Sequence, residues 1–282
     1  MSPGDIAFPN LGILLKDVPR EFYVFGFRIA LYGCVVGTGI LLAVLLAAYD
    51  RKRRGLNPET IWDLSTICVI CGILGARAYY VVFQWDYYSR NPLKIFNFRE
   101  GGLAIYGGVI VGFIAVFIYC KLKHEKFLEV FDSVALAFPL GQAVGRWGNF
   151  FNREAFGGWF DGLLCMRLPE AAVRQSDISD SIREHMVDGT IYVHPTFLYE
   201  SIWNISLLII LFFYGKRKRF SGEVFFLYLL GYGIGRFWIE GLRTDQLILP
   251  VANMPVSQVV ACISAIFALL AIVFGKRVFG KK

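Results

Sequence analysis

The chain has 282 residues, of which 56% are hydrophobic, and its mean hydropathy is +0.53. Soluble globular domains average about 45–50% apolar residues, so the composition excludes an ordinary soluble domain and indicates an integral membrane protein. The formal net charge of +7 does not indicate nucleic-acid binding, because the basic residues stand in short clusters between apolar runs. Clusters in that position are typical signals of membrane topology.

Seven apolar runs are long enough to cross a hydrocarbon core of about 30 Å as helices. They cover residues 25–49, 61–83, 102–120, 128–146, 196–214, 222–240 and 255–275. We therefore predict an all-α integral membrane protein with about seven transmembrane helices, forming a single polytopic domain over residues 1–282. The link 147–195 is long and largely polar, and we predict that it forms a small extracytoplasmic cap or arm.

Basic clusters follow every odd-numbered span, at residues 51–54, 121–126, 216–219 and 276–282. Cytoplasmic loops carry the excess of lysine and arginine in membrane proteins. The pattern therefore predicts an N-terminus outside and a C-terminus in the cytoplasm.

Two arginines occupy costly positions in this topology. Arg146 closes the fourth apolar run and Arg236 interrupts the sixth, and a charge at membrane depth costs about 2.5–3.5 kcal/mol. The predicted orientation places both near the outer face, together with Arg77, where they cannot serve as cytoplasmic topology signals. We interpret them as fixed positive charges for an anion such as a lipid phosphate. The structural alternative is an arginine that bonds helix carbonyls or lipid headgroups.

Further polar residues surround these arginines in the sequence. Arg236, Glu240 and Arg243 are spaced i, i+4 and i+7, which predicts one helix face on which Glu240 pairs with either arginine. Such pairing serves a ligand site or a structural ion-pair ladder equally well. Glu200 is an intramembrane carboxylate, for which pairing with an arginine is the economical explanation.

Two further candidates have common structural explanations. Tyr106 stands between Gly101-Gly102 and Gly107-Gly108; its phenol could donate a hydrogen bond to a phosphate or ester, but interfacial tyrosines are frequent. His194 precedes Pro195 at the predicted entry to a helix, where a histidine more often bonds the backbone than acts as a general base.

The sequence contains no catalytic triad pattern, HExxH helix, P-loop or zinc spacing, so we predict no metal and no cofactor. Cys68-x-x-Cys71 lies in an apolar run without a second Cys/His pair. We interpret Cys68 and Cys71 as small buried apolar residues; Cys34, Cys120 and Cys262 also fall in apolar runs.

Residues 145–157 have the sequence GRWGNFFNREAFG, which closely resembles the signature of the bacterial prolipoprotein diacylglyceryl transferases. Further matches are GGLAIYGG at 101–108, HPTFLYE at 194–200, Gly75-x-Arg77-x-x-Tyr80, Leu31-Tyr32-Gly33, and Arg236 with Glu240 and Arg243. The resemblance covers about residues 25–275.

The resemblance implies a reaction. This family moves the diacylglyceryl group of phosphatidylglycerol onto the thiol of a lipobox cysteine, in the signal peptide of a prolipoprotein. The product is a thioether, and glycerol 1-phosphate leaves. The implied partners are phosphatidylglycerol, prolipoprotein signal peptides and membrane lipids, with no nucleic acid. The implied location is the bacterial cytoplasmic membrane, with the active site toward the extracytoplasmic leaflet.

The resemblance also implies roles for individual residues. Arg146, Asn149, Glu154 and Gly157 would bind or orient the phosphatidylglycerol headgroup, and Arg236 would assist the reacting phosphate and thiol. The remaining candidates for substrate contact are Tyr32, which corresponds to a tyrosine that the family needs, Arg77, Asn152, His194, Tyr199, Glu200, Glu240 and Arg243.

Tyr106 marks a departure from the family, because some members have histidine there, and that histidine has been proposed as the thiol base. Tyrosine could serve despite a pKa near 10, the base could lie elsewhere, or the cationic site could simply lower the thiol pKa; we favour the last. A transporter for an anionic or lipid-headgroup substrate is the alternative function, since buried arginines would serve there too.

Overall fold

The computed structural model describes residues 2–97, 101–249 and 254–278. Nine α-helices occur in this part of the chain. They are α1 (Leu31–Arg53), α2 (Glu59–Phe83), α3 (Trp85–Tyr88), α4 (Ile105–Leu122), α5 (Phe127–Asn152), α6 (Asp180–Glu184), α7 (Thr196–Tyr214), α8 (Glu223–Glu240) and α9 (Val256–Val278).

Six helices are long and apolar enough to cross a membrane: α1, α2, α4, α5, α7 and α9. Large side chains such as Ile40 of α1 and Phe267 of α9 are exposed on them, as expected of helices that face lipid tails rather than water. The chain is therefore a mostly helical, multi-pass membrane protein. The sixth predicted span corresponds to α8, an 18-residue helix that contains Glu223, Arg236 and Glu240 and does not meet the same criterion of length and composition.

Short strands modify the all-α prediction. They are β1 (Ile6–Phe8), β2 (Ile13–Leu15), β3 (Glu21–Val24), β4 (Phe27–Ala30), β5 (Met166–Pro169), β6 (Thr190–Val193), β7 (Ile248–Leu249) and β8 (Met254–Pro255). Four of them form an antiparallel sheet in the order β2-β1-β5-β6, and the others form the hairpin-like pairs β3–β4 and β7–β8. These strands are not predicted from the sequence, because each is too short to show a clear alternation of apolar and polar residues.

Two predicted helix boundaries are wrong. Helix α1 begins at Leu31 rather than at residue 25, because residues 21–30 form the β3–β4 hairpin. Phe25 and Gly26 at its turn both have positive φ, 49° and 81°, as the tight two-residue hairpin turn requires. Helix α5 continues beyond Arg146 to Asn152, so the cap begins at Arg153 and covers residues 153–195.

The structure divides into two compact units. The first unit comprises Met1–Ala43 and Val134–Lys282. Its sheet joins the N-terminal segment to the cap around a buried apolar cluster that includes Ile6, Leu168 and Ile191. Phe150 of α5 and Phe197 of α7 belong to the same cluster. The ends of these two helices are therefore fixed against the sheet, and this cluster positions the polar residues that they carry.

The second unit, Val44–Ser133, is built on the packing of α2 against α4. The two helices approach closely at glycines: a Cβ on Gly107 would lie 2.4 Å from the carbonyl oxygen of Gly75, so no larger residue fits there. The first basic cluster also belongs to this unit. Arg51 is 1% exposed and pairs with Glu125 at 2.8 Å, so this predicted topology signal also forms an ordered ion pair.

The predicted burial of Cys68 and Cys71 is correct only in part. Cys120 is buried, but Cys34 and Cys262 are exposed on helix surfaces, and Cys68 and Cys71 are half-buried. The error has a simple cause, because an apolar run in a membrane protein faces lipid as readily as it faces the protein core.

Candidate functional site

Three arginines of the first unit converge on one buried carboxylate. Glu200, in the second turn of α7, is 3% exposed. Its Oε2 lies 2.7 Å from Nη2 of Arg146 on α5, and its Oε1 lies 3.4 Å from Nη1 of Arg236 on α8. Nη1 of Arg243 is 3.5 Å from the same Oε1. The two arginines that the sequence analysis singled out are thus brought together, and Glu200 joins them as the predicted arginine partner.

A second layer of carboxylates holds two of the arginines. Glu240 Oε2 lies 2.6 Å from Nη2 of Arg236 and 3.9 Å from Nε of Arg243, which confirms that Glu240 pairs with either arginine. Arg243 lies beyond the end of α8, not on its face as predicted, and reaches back because its amide donates to the carbonyl of Glu240 at 3.1 Å. Its guanidinium also binds both carboxylate oxygens of Asp245, at 2.9 and 2.7 Å.

The three arginines and three carboxylates form a formally neutral cluster. Burial acts to raise the pKa of Asp245, but the hydrogen bonds and charge of Arg243 outweigh it and lower that pKa, so the carboxylate stays ionised. The side chains of Arg146, Arg236 and Arg243 are 21%, 17% and 11% exposed. Each guanidinium is therefore oriented by carboxylates and still has access to a ligand, the preorganised state that anion recognition needs.

The predicted headgroup residues form a chain of hydrogen bonds that starts at Arg146. Arg146 Nη1 donates to Oδ1 of Asn149 at 3.4 Å, and Asn149 Nδ2 donates to Oε1 of Glu154 at 3.0 Å. Asn152 Nδ2 donates to the same oxygen at 3.3 Å. The other oxygen of Glu154 pairs with Nη2 of Arg174 at 3.3 Å. The last two turns of α5 and the residues after it thus present amide and carboxylate groups in one connected row.

Gly157 lies at the crossing of three segments. Its amide donates to the carbonyl of His194 at 3.0 Å, and it forms an isolated bridge with Arg243. A Cβ at this position would lie 2.8 Å from both the Cβ of His194 and the carbonyl oxygen of Leu242. Glycine is therefore required by close backbone approach, and the contact holds the Arg243 segment against the cap.

His194 and Tyr199 lie beside this crossing. The ring of His194 stacks on Phe160 with centroids 4.0 Å apart, and its Nδ1 is 3.3 Å from the hydroxyl of Tyr199. Burial lowers the pKa of His194, which favours a neutral imidazole at pH 7. Tyr32, in the first turn of α1, packs on Gly148 so closely that a Cβ there would lie 2.8 Å from its ring. Tyr32 is thus placed beside the GRWG stretch.

Arg77 and Tyr106 belong to the second unit. Arg77 is 4% exposed and donates to five backbone carbonyls, those of Lys94, Ile95, Asn97, Gly101 and Gly102. Gly102 has φ +77°, and a Cβ on it would lie 2.5 Å from the Arg77 guanidinium. These contacts favour a role in shaping the loop before α4. Tyr106, the second residue of α4, is 59% exposed, and its contact with substrate stays a prediction, as does that of Arg77.

A family model for prolipoprotein diacylglyceryl transferase matches residues 19–274. The chain belongs to this family of transferases. A phosphatidylglycerol–prolipoprotein diacylglyceryl transferase of Clostridioides difficile (strain 630) is 44% identical over 253 residues, which cover 90% of this chain and 93% of that relative. Enzymes of the same name from Bacillus cytotoxicus (strain DSM 22905 / CIP 110041 / 391-98 / NVH 391-98) and Lysinibacillus sphaericus (strain C3-41) are 39% and 41% identical over 94% and 93% of this chain. The matched residues cover 96% and 93% of those two relatives.

One residue of the transferase signature was missed by the sequence analysis. Arg153 is 2% exposed, and its Nη2 donates to the carbonyls of Gly4 and Val18 at 2.6 Å each. It therefore ties the N-terminal segment to the residues after α5. Its position inside the signature was the only available signal, because carbonyl partners distant in sequence cannot be read from composition.

In the described ranges, no group of three or more His, Cys, Asp or Glu side chains is placed to hold a metal ion.

Proposed function

We propose that this protein transfers the diacylglyceryl group of phosphatidylglycerol to the cysteine thiol of a prolipoprotein lipobox and releases glycerol 1-phosphate. The observation that carries the proposal is the convergence of Arg146 and Arg236 on Glu200, at 2.7 and 3.4 Å, in a chain of this transferase family. Two guanidinium groups oriented by one carboxylate present paired donors of the kind that match phosphate oxygens.

The chemistry needs those donors when the phosphate leaves. The cysteine sulfur, as thiolate, attacks the glyceryl carbon of the lipid; the new C–S bond forms as the C–O bond to phosphate breaks. The electron pair of that bond leaves with the phosphate, so the diester monoanion becomes the dianion of a monoester, and the thiol proton goes to solvent or to the departing phosphate. The charge that develops on phosphate is stabilised by Arg146 and Arg236, whose orientation is fixed before reaction.

The remaining residues of the signature orient the substrate. Asn149 and Glu154 offer an amide and a carboxylate in line with Arg146, and these groups suit the hydroxyls of a glycerol headgroup. The row and the arginines are supported by neighbouring side chains, those of Asn152, Glu240, Arg243, His194 and Tyr199. Tyr32 packs against the row at Gly148. No dedicated base is assigned. The positive field of the arginines favours the thiolate by lowering the thiol pKa.

The proposed topology follows from the basic clusters. Helix α8 is an additional span, the sixth of seven in chain order, the N-terminus lies outside, and the C-terminus lies in the cytoplasm. The protein then resides in the bacterial cytoplasmic membrane as one polytopic domain, with the arginines near the extracytoplasmic leaflet. Phosphatidylglycerol and lipobox peptides reach the site there, and nucleic acid has no part.

The test is the covalent product. Purified protein is incubated with phosphatidylglycerol and a lipobox peptide, and the peptide is analysed by mass spectrometry; the matched control is the same peptide with serine in place of cysteine. We expect a diacylglyceryl thioether on the cysteine peptide, equimolar glycerol 1-phosphate, and no product on the serine peptide. Uptake of the phospholipid or its headgroup into proteoliposomes without any thioether would refute the proposal in favour of the transporter.

A further inference from the structure

A cationic cavity lies outside the arginine cluster of the candidate site. It has a volume of about 350 Å³ and is lined by side chains of the N-terminal segment, the β3–β4 hairpin and the cap. The charged residues among its lining are Arg20, Glu21, Arg28, Arg153, Glu154 and Arg174. A cavity of this size lies within the range of about 300–1,000 Å³ that is typical of small-molecule sites.

The charge of the cavity selects a doubly charged anion. Four arginines and two carboxylates line it, which gives a formal charge of +2. A phosphate monoester carries about −1.5 to −2 at pH 7, because its second pKa is near 6, whereas a phosphodiester carries only −1. The arginines also repel each other: burial first, and then the nearby charge of Arg20, lower the pKa of Arg153. A bound dianion relieves that repulsion.

The guanidinium groups are held in place by the protein. Arg20 donates to the carbonyl of Ala172, and Arg28 pairs with Glu21. Arg174 pairs with Glu154 at 3.3 Å. One contact orients each side chain, and an arginine has five N–H donors, so donors remain for an anion. The side chains of Arg28 and Arg174 are 72% and 73% exposed, which opens the cavity to a ligand arriving from water.

Glu154 connects this cavity to the candidate active site. One of its oxygens accepts from Asn149, which in turn accepts from Arg146, and the other pairs with Arg174 in the cavity wall. These contacts link Arg146 to a more exposed and more positive region.

We propose that the cavity between Arg20, Arg28 and Arg174 is a binding site for the phosphate monoester of glycerol, which receives the leaving group after transfer. The assignment of the ligand rests on the proposed function; the preference for a phosphate dianion rests on the cavity alone. The site makes glycerol phosphate a product inhibitor whose affinity depends on residues that do not touch the reacting carbon.

The test measures binding directly on the intact, detergent-solubilised protein. The dissociation constant of glycerol 1-phosphate is determined by ³¹P NMR titration for the wild type, Arg28→Gln and Arg174→Gln. Arg183→Gln is the matched control, since Arg183 is an exposed arginine of α6 outside the cavity lining. We expect the dissociation constant to rise roughly 5- to 10-fold in each cavity variant, because an ionic hydrogen bond weakened by exposure to solvent is lost, and to stay within twofold in the control. Arg174 lies in an exposed loop, so its variant reports on binding even if Arg28→Gln disturbs the hairpin.

Parallel arms distinguish the source of the phosphate. Inorganic phosphate should compete with glycerol 1-phosphate, and vesicles of phosphatidylglycerol should bind the cavity variants as they bind the wild type. Unchanged affinity for glycerol 1-phosphate in both variants would overturn the proposal, and so would a loss of vesicle binding alone, which would make the cavity a lipid-headgroup site. Thioether formation is assayed on the same preparations. If the thioether forms but the affinity for glycerol 1-phosphate does not depend on the cavity residues, this inference alone is refuted. If the affinity depends on the cavity residues but no thioether forms, the proposed transfer alone is refuted.

Discussion

Replacing Glu200 by glutamine tests whether one carboxylate sets the geometry of the arginines. The substitution keeps size and shape but removes the charge that lies 2.7 Å from Arg146, 3.4 Å from Arg236 and 3.5 Å from Arg243. Removing one partner of a buried ion pair commonly costs about 3–5 kcal/mol. Here the arginines remain partly exposed, and Glu240 still holds Arg236, so we expect a loss of about 2–3 kcal/mol in the free energy of unfolding.

The effect on activity should differ in kind from the effect on stability. In the described part of the chain, Glu200 is the one carboxylate that pairs with Arg146, so Arg146 loses its orientation. A misplacement of about 1 Å at a reacting centre can cost about 100-fold in rate, and we expect kcat to fall by about that factor. KM for phosphatidylglycerol should stay within a few fold, because the site gains positive charge and still attracts the anion.

The matched control is Glu223→Gln. Glu223 is also fully buried and paired with an arginine, Arg219, but it begins α8, whereas Glu240 ends it, about 25 Å away along the helix axis. This control should lower the melting temperature while leaving kcat within about twofold. Activity is measured as thioether formation at several lipid concentrations, and stability by thermal unfolding in the same detergent. An unchanged kcat in Glu200→Gln, or equal losses in both variants, would refute the positioning argument.

Three further substitutions test separate parts of the structure. Gly157→Ala places a Cβ 2.8 Å from the Cβ of His194 and should cost about 1–3 kcal/mol in thermal unfolding, whereas Gly158→Ala, with nothing within 4 Å, should be nearly neutral; equal effects would contradict the crossing. Lysine in Arg77→Lys cannot serve five carbonyls, so proteolysis at residues 94–97 and 101–102 should become faster, whereas Arg90→Lys at an exposed position should leave it unchanged. Equal protection in both variants would count against the anchoring role. Because burial lowers the pKa of His194, its stabilisation is present above its unfolded pKa of about 6.5 and is lost as pH falls through the lower folded value. His194→Gln should therefore reduce the fall in melting temperature between about pH 7 and pH 5. If the melting temperature of this variant falls with pH as steeply as that of the wild type, His194 does not cause the fall.

The positions of the helices could be predicted from the sequence because the mean hydropathy of a whole span is a strong signal. Six predicted runs coincide with helices long enough to cross a membrane. The ends of the runs were less accessible. Residues 25–30 continue the apolar run apart from Arg28, yet residues 27–30 pair with residues 21–24 in a hairpin. Ala7 of β1 pairs with Arg167 of β5, and such long-range pairing leaves no local pattern in either segment.

The candidate site was predicted from the free-energy cost of placing a charge at membrane depth. That cost does not indicate which groups bind the charge. Arg146 and Arg236 stood out because lipid does not accommodate arginine cheaply, and the structure brings them to one carboxylate. Arg77 stood out for the same reason, but its partners are backbone carbonyls, which every residue possesses and which sequence cannot single out. Arg153 satisfies carbonyls in the same way. The glycines with positive φ beside Arg77, Gly101 and Gly102, were the one local sign of such a loop.

The central claim is that Arg146 and Arg236 together stabilise the departing phosphate. It is tested most directly by the rate of thioether formation in Arg146→Ala and Arg236→Ala, with Arg219→Ala as the control for loss of a paired arginine at the other end of α8. Losing one preorganised donor to a developing charge commonly costs about 10²- to 10³-fold in kcat, or about 2.7–4 kcal/mol. We expect a loss of that size in both site variants and near wild-type kcat in the control, all three remaining folded. Wild-type kcat in either folded site variant would contradict it.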